Sequence, residues 1–457
     1  GCISELEEGL ELMAKTQEQG AKALSVGDYW GGGDPQKWIK FGNLLKARWL
    51  VKLNKKQAGS YADGKYDADA ILAALAKAPQ SNADNMIINH TDDNGPSHDV
   101  LGWDEPVDYS PLYSVSGMNG GYYVTEMLYK NLTNFGGYEV EDPRADHIIP
   151  WQVSAITPGV TPEEIKFDGE WRRSLGVDLT TANSPTLASG PVRSLYADGK
   201  WYNTSTIAAR AGDTVYVEQT SSSKGYASNK DLLYRRGGAT QDGSRESGTF
   251  YTRVSSPTYM GTYHEACFIK AEVLFNKGDK AGAYAAYKEG IKASIELMNS
   301  KLKTWVAEDA TLDNCPSFHP MDQASIDNFL AEGIGTAADI TLGHILTQKR
   351  IAMMFSVETW NDMRRYDFDT RIFHNWNLPI YYVNEPSAKE AIPVGKYFRR
   401  WKHCSHELNY NATNLQAIGN EVPGANMQFK DPSTGKESWQ ADPAVWTVNV
   451  WWDSDQQ

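Results

Sequence analysis

Six aromatic residues are candidates to hold a ligand, the first four of them beside hydrogen-bonding neighbours in stretches that read as loops. They are Trp103 in Gly102-Trp103-Asp104-Glu105, Trp171 in Glu170-Trp171-Arg172-Arg173, Trp201 and Tyr202 before Asn203, and Tyr122 and Tyr123 after Gly120-Gly121. A flat ring can stack on the C–H face of a pyranose while neighbouring amides, carboxylates or guanidinium groups bond its hydroxyls. The whole chain shares this bias, with 24 Tyr and 15 Trp against 13 Phe. An apolar core can be filled with Phe; Trp and Tyr add a polar tip that suits a wet binding surface. Trp305, Trp376 and Trp401 also read as loop residues. For any single one of these rings, burial as a loop anchor is the commoner outcome, so the expectation attaches to the set.

Catalytic chemistry finds little support. The chain has no Gly-x-Ser-x-Gly elbow, no HExxH and no P-loop pattern. A glycosidase needs two carboxylates about 5–10 Å apart across the scissile bond. Pairs such as Asp104/Glu105 and Glu163/Glu164 are adjacent acids, which on loops are ordinarily solvated. His403-Cys404-x-His406 lacks a fourth partner and the paired spacing of a zinc site. Asp92-Asp93-Asn94-Gly95 with Asp99 lacks the alternate spacing and closing Glu of a calcium loop. No catalytic residue, no metal and no cofactor is therefore expected. The four cysteines, Cys2, Cys267, Cys315 and Cys404, are far apart and form no CxxC.

The elements that must carry these rings fall into four stretches. Residues 1–135 read as a helical scaffold. Ser4-x-x-Glu7 has the form of a capping box, and Asp34-Pro35 supplies an N-cap and first-turn proline. Trp38, Phe41, Leu45 and Trp49 make one stripe, and an Ala-rich helix over 67–78 ends at Pro79. A short helix is expected near 120–134. Residues 136–260 read as a loop-rich, ligand-binding insertion with a few short strands such as Thr214-Val215-Tyr216-Val217. Residues 261–368 return to helix. Tyr263, Cys267, Ala271 and Leu274 form one face, Gly278-Asp279 the break, and Tyr284, Tyr287, Ile291, Ile295 and Met298 the facing stripe. Two helices of about 15 residues joined in this way make a tetratricopeptide-like unit. Asp339 is expected to cap a further helix from Ile340 to about Phe355. Residues 369–457 read as an irregular segment packed on the scaffold. The fold class is thus mainly α, a tetratricopeptide-like scaffold with an irregular insertion. A net charge of −14 disfavours nucleic acid and anionic lipid as partners, and no run of about 18 apolar residues is present.

Five segments, in order, resemble the SusD/RagB-like outer-membrane lipoproteins. Trp38-Ile39-Lys40-Phe41-Gly42-Asn43-Leu44-Leu45-Lys46-Ala47-Arg48 resembles the family's "W-x-K-F-A-N-S-L-K-L-R" helix, and Asp142-Pro143-Arg144 its "DPR" turn. Tyr263 to Glu272, with Gly278 and Tyr287-Lys288-Glu289-Gly290-Ile291, resembles its tetratricopeptide hairpin. Gln348-Lys349-Arg350 through Trp360 to Arg364-Arg365 resembles its "QKW…eaW…RR" segment, with Arg350 standing where Trp is common. Val450-Trp451-Trp452-Asp453 resembles the "vWWD" ending of one branch. On this resemblance Trp38, Trp49, Trp360, Trp446, Trp451 and Trp452 are scaffold. The resemblance implies a non-catalytic, Bacteroidetes-type surface lipoprotein that captures an oligosaccharide or polysaccharide for a SusC-like TonB-dependent transporter. Its location would be the extracellular face of the outer membrane. A peptide cargo is the alternative, and a glycoside hydrolase a more distant one. Cys2 follows Gly1 as a lipidated cysteine does, but a helix starting at once leaves no tether, so the anchor is expected upstream.

Overall fold

The computed structural model describes residues 1–90 except 17, 22–26 and 29, then 124–149, 249–379 except 254 and 315, 395–411 except 402 and 403, and 447–454; between these it describes strand backbones within 151–217 and 427–440 and isolated residues at 179–180, 413–414 and 417. The helices are α1 (Cys2–Met13), α2 (Pro35–Leu50), α3 (Ala68–Leu75), α4 (Glu126–Thr133), α5 (Ala145–Ile148), α6 (Tyr263–Asn276), α7 (Lys280–Glu308), α8 (Gln323–Glu332), α9 (Leu342–Ala352), α10 (Val357–Arg365) and α11 (Ser405–Tyr410). The strands are β1 (Met86–Ile88), β2 (Trp151–Val153), β3 (Ala155–Ile156), β4 (Trp171–Arg173), β5 (Arg193–Ala197), β6 (Lys200–Asn203), β7 (Thr214–Val217), β8 (Thr258–Gly261), β9 (Met427–Lys430) and β10 (Glu437–Gln440). The protein is mainly helical, as expected. Among the described residues no helix is long and apolar enough to cross a membrane.

The α6–α7 hairpin is the centre of the scaffold. Thr262 caps α6 by accepting from the Glu265 amide, and Asp279 caps α7 by accepting from Gly282. Gly278 makes the turn at φ 84°, a conformation that costs a residue with a Cβ. A Cβ on Gly290 would sit 3.2 Å from the Cys267 Cβ and 3.1 Å from the Phe268 ring, so the helices approach through the missing side chain. α7 runs for 29 residues, well beyond the expected 15. It carries Tyr287, Ile291, Ile295, Leu302 and Trp305 into one core with Phe135, Phe268, Phe318 and Phe329. A second core joins α2, α3 and α6 through Leu44, Leu50, Ile71, Leu75, Ile269 and Val273. Helix α6 is therefore buried on opposite sides. Its expected single face, Tyr263 to Leu274, is only partly the buried one: Cys267 and Ala271 are buried, while Tyr263 and Leu274 are half-buried.

Three local expectations are corrected. α1 begins at Cys2 with no side-chain cap, so Ser4 lies inside it, and Glu7 instead bonds Lys46 and Tyr61. The buried side of α2 is Phe41, Leu44, Ala47 and Leu50, with Trp38, Leu45 and Trp49 half-buried, because Gly261 of β8 meets Phe41 and Leu44. α9 is capped by Thr341, which accepts from the His344 amide while the imidazole accepts from the Thr341 amide; Asp339 receives the Thr336 hydroxyl.

The segments that carry the resemblance meet in a set of buried ion pairs. Arg48 of α2 grips Glu265 of α6 with two bonds of 2.6 Å and reaches the Met260 carbonyl. Arg144 grips Asp142 and donates to Gln348 of α9 and Ser294 of α7. Arg365 of α10 makes a bidentate pair with Glu272 of α6 and also bonds Asp362, which takes Lys349 as a second cation. Burial pushes the Asp362 carboxyl up, but Lys349 and Arg365 outweigh it and hold the group below its ordinary value. Arg364 lies 3.8 Å over the Trp360 ring and 4.6 Å from the Trp452 ring, and Arg399 pairs with Asp453 at 3.3 Å. Arg48, Arg144 and Arg365 thus each reach at least one partner that lies far along the chain.

Candidate functional site

The expected loop tryptophans at 171 and 201 lie on strands. β4 pairs antiparallel with β2, placing Trp171 opposite Val153. Trp201 and Tyr202 belong to β6, the edge of a four-stranded antiparallel sheet in the order β3-β7-β5-β6. In register, Trp201 stands opposite Tyr196, which stands opposite Thr214. The next row of the same face runs Asn203, Ser194, Tyr216 and Ile156. Alternation places Tyr202 on the other face, in a row with Leu195 and Val215, between the row of Arg193, Val217 and Ala155 and the row of Ala197 and Lys200. One set of alternate positions therefore holds aromatic, hydroxyl and amide residues with Ile156, and the other holds Leu195, Val215, Val217, Ala155 and Ala197 together with Tyr202, Arg193 and Lys200. That pattern separates Trp201 from Tyr202, neighbours in sequence that the strand assigns to opposite sides. Trp103, Tyr122 and Tyr123 lie outside the described residues, as does the Asp92–Asp99 stretch.

The other three tryptophans divide sharply. Trp305 is a helix residue, fully buried between Phe250 and Phe318, and serves as core. Trp401 is 73 % exposed, its ring centroid 5.8 Å from that of Trp360. Of the six assigned to scaffold, Trp451 is 58 % exposed, although it covers Gly64 and receives Lys56 over its ring at 5.0 Å.

Trp376 belongs to a cluster that the sequence did not disclose. Its ring packs against Tyr397 at 5.4 Å and Phe368 at 6.2 Å, and those two rings are 5.1 Å apart. Phe368 and Trp376 also pack with Met127 of α4 and with Leu346 and Met363 of α9 and α10. Arg350 of α9 donates to the thioether sulfurs of Met127 at 3.3 Å and Met363 at 3.2 Å. Burial pulls its pKa below the ordinary arginine value, with Tyr397 opposing the change. Asp367, Phe368 and Asn375 flank the cluster with φ of 56°, 55° and 60°, left-handed conformations that cost each non-glycine residue about 1–3 kcal/mol. The only trace of this in the sequence is Arg350 standing where the family pattern has Trp.

Among the described residues no group of three His, Cys, Asp or Glu side chains is arranged to hold a metal ion. Cys404 and His406 are exposed, and His406 packs on Tyr410; His403 lies outside the described residues. Two clefts mark the helical scaffold. One, of about 440 Å³, has Asp142, Asp146, His147, Asp313 and His319 on its walls. The other, of about 590 Å³, runs between α3, α6 and α7 past Leu75, Tyr263, Cys267 and Glu289.

Residues 211–375 match the family SusD-like_2, described as "Starch-binding associating with outer membrane". Solved structures match over the whole length. A SusD/RagB family protein from Bacteroides thetaiotaomicron superposes with a TM-score of 0.57 at 19 % identity, over 100 % of this chain and 72 % of that one. A chitin-binding protein gives 0.55 at 18 %, over 99 % and 72 %. A SusD homologue from Bacteroides fragilis gives 0.54 at 16 %, over 99 % and 74 %. At such identities the likeness is one of fold. No curated protein matches the sequence.

Proposed function

We propose, from the premise that the chain belongs to the SusD/RagB-like family, that it is a non-catalytic glycan-binding protein of the outer membrane. The observation that carries the reading is the sheet face holding Trp201, Tyr196 and Tyr216 in rows with Ser194, Asn203 and Thr214. Rings offer planar apolar area, and the intervening hydroxyl and amide residues supply the donors and acceptors that orient a sugar. The family description and the chitin-binding neighbour support a saccharide as cargo. Within this reading the protein is lipid-anchored at the extracellular face and hands captured oligosaccharide to a SusC-like TonB-dependent transporter. Trp171, with Trp103, Tyr122 and Tyr123, extends the platform.

Calorimetric titration with maltooligosaccharides, chitooligosaccharides and a plant-glycan panel tests the reading, with a peptide mixture as contrast. Trp201→Ala is expected to weaken glycan binding at least tenfold, a loss of about 1.4 kcal/mol. Tyr202→Ala, on the opposite face, should weaken it much less. Silence across the panel, or equal effects of the two substitutions, overturns it.

A further inference from the structure

We propose that the cleft between α3, α6 and α7 binds a small aliphatic zwitterion, a free amino acid or dipeptide, with its carboxylate on Lys270 and its ammonium on Glu289. None of the aromatic candidates for the glycan site takes part, so this site stands or falls independently of the glycan-binding reading.

The cleft follows from how the helices pack. α6 has a core on each side, one shared with α7 and one with α2 and α3. α3 and α7 therefore lie on α6 as the two banks of a valley. The α7 bank is Gly282, Ala285 and Ala286, residues too small to fill it, and the α3 bank is Leu72, Leu75 and Ala76. What stays open is about 590 Å³, within the range of about 300–1,000 Å³ usual for small-molecule sites. Leu75, Ala266 and Ala286 are buried and Leu72 and Leu274 half-buried, so the lining is mainly aliphatic.

Two opposite charges interrupt that lining. Glu289 is half-buried; its Oε1 accepts the Tyr263 hydroxyl at 3.3 Å, and it meets no cation at ion-pair distance among the described residues. Lys270 lines the same cleft and meets no carboxylate at ion-pair distance among the described residues, so the two do not pair with each other. Both act on one point of the floor, the Cys267 thiol. Burial pushes that thiol up to about 12, the Tyr263 hydroxyl opposes, Glu289 raises it further and Lys270 lowers it. Gly290, next to Glu289, approaches Cys267 directly, whereas Lys270 stands about 4.5 Å further along α6. Cation and anion are thus offset by about one helical turn. A neutral aliphatic ligand would leave both charges without a partner in the cleft, and an ion of one sign would leave one of them so. A zwitterion satisfies both while its side chain covers the aliphatic lining. Gln80 adds an acceptor at the rim: its Nε2 is spent on the Leu75 and Ala78 carbonyls, which leaves Oε1 for an ammonium.

The experiment is calorimetric titration of the full chain with leucine and with Leu-Leu, each also as its C-terminal amide and its N-acetyl form. Leucine or Leu-Leu should bind saturably, and the tighter of the two identifies the source of the zwitterion. Each end-blocked form should bind at least tenfold more weakly than its parent. Lys270→Met should lower the parent's affinity to that of its amide. Glu289→Gln, which keeps an acceptor for Tyr263, should lower it to that of the N-acetyl form. Ala285→Trp, at an exposed position in the cleft wall, fills the space and should abolish binding with the melting temperature unchanged. Ala76→Trp, exposed on the facing helix, takes its place if Ala285→Trp lowers the melting temperature. No saturable binding of either parent overturns the proposal and leaves the glycan reading untouched. Binding that survives Ala285→Trp and Ala76→Trp, or that ignores Lys270→Met and Glu289→Gln, overturns it as well. Equal affinity for parent and end-blocked forms removes the zwitterion and overturns it on that ground.

Discussion

Acid should weaken this fold well above the pH at which carboxylates protonate, through three buried imidazoles. Burial pushes His147 down to about 4, with His319 lowering it further and the Ser317 carbonyl and Asp142 opposing. Burial, helped by the facing Arg144, pushes His264 down to about 3. Burial and the neighbouring His374 push His344 down to about 4 against a small opposing effect of Asp339. The geometry agrees with neutral rings. His264 Nδ1 is buried without a partner, and His344 Nδ1 accepts from the Thr341 amide, leaving Nε2–H to donate to Tyr138. In the unfolded chain each imidazole titrates near about 6.5. Above that value both states are neutral and the contribution to stability is complete. As the pH falls toward the folded values only the unfolded chain takes up protons, so stability is lost in the window from about 6.5 to 4. Between pH 7 and 5 each group should cost about 2 kcal/mol, or about 5–6 kcal/mol for the three. That is comparable with the net stability of many domains, about 5–15 kcal/mol. Urea titrations followed by tryptophan fluorescence and far-UV circular dichroism at pH 7, 6 and 5 measure it. His264→Leu and His147→Asn should each flatten the dependence by about one third. A midpoint that does not move between pH 7 and 5, or variants that keep the wild-type slope, would refute the reasoning.

Glu272→Gln removes the charge that faces buried Arg365 and turns an amide NH2 toward its Nη2 donor, and should cost about 3–5 kcal/mol in the same urea assay. Gly343→Ala puts a Cβ 2.7 Å from the Ile372 carbonyl and 2.7 Å from His374 Nε2, and should destabilise by about 1–3 kcal/mol with a lowered melting temperature. Trp305→Ala empties a core position and should cost about 3–5 kcal/mol, whereas Trp401→Ala, at an exposed ring, should stay within about 0.5 kcal/mol.

The helix ends were legible wherever a residue acts on its own neighbours. Asp34 with Pro35, Gly278 and Asp279 stand where their chemistry predicts, because a cap or a left-handed turn is satisfied within a few residues. Local patterns failed where a distant group competed. Glu7 completes a capping-box spelling but is taken by Lys46 and Tyr61. Thr341 wins the cap of α9 over Asp339 because the His344 side chain reciprocates. Trp305 reads as a loop ring only if α7 stops after four turns; packing against Phe250, Phe318 and the rest of the core carries the helix past it. On β6 the neighbours Trp201 and Tyr202 were one expected site, and the two-residue period of a strand divides them.

By itself, then, the sequence determined the helical scaffold and its turns, since each depends on spacing within one stretch of chain. Tertiary structure alone decided which faces those elements bury and which charges they pair. Arg48 and Arg365 look alike in sequence to Arg350, yet the first two meet Glu265 and Glu272 while the third meets two methionines. A guanidinium's role depends on the acceptor across from it, and that acceptor is supplied by another part of the chain.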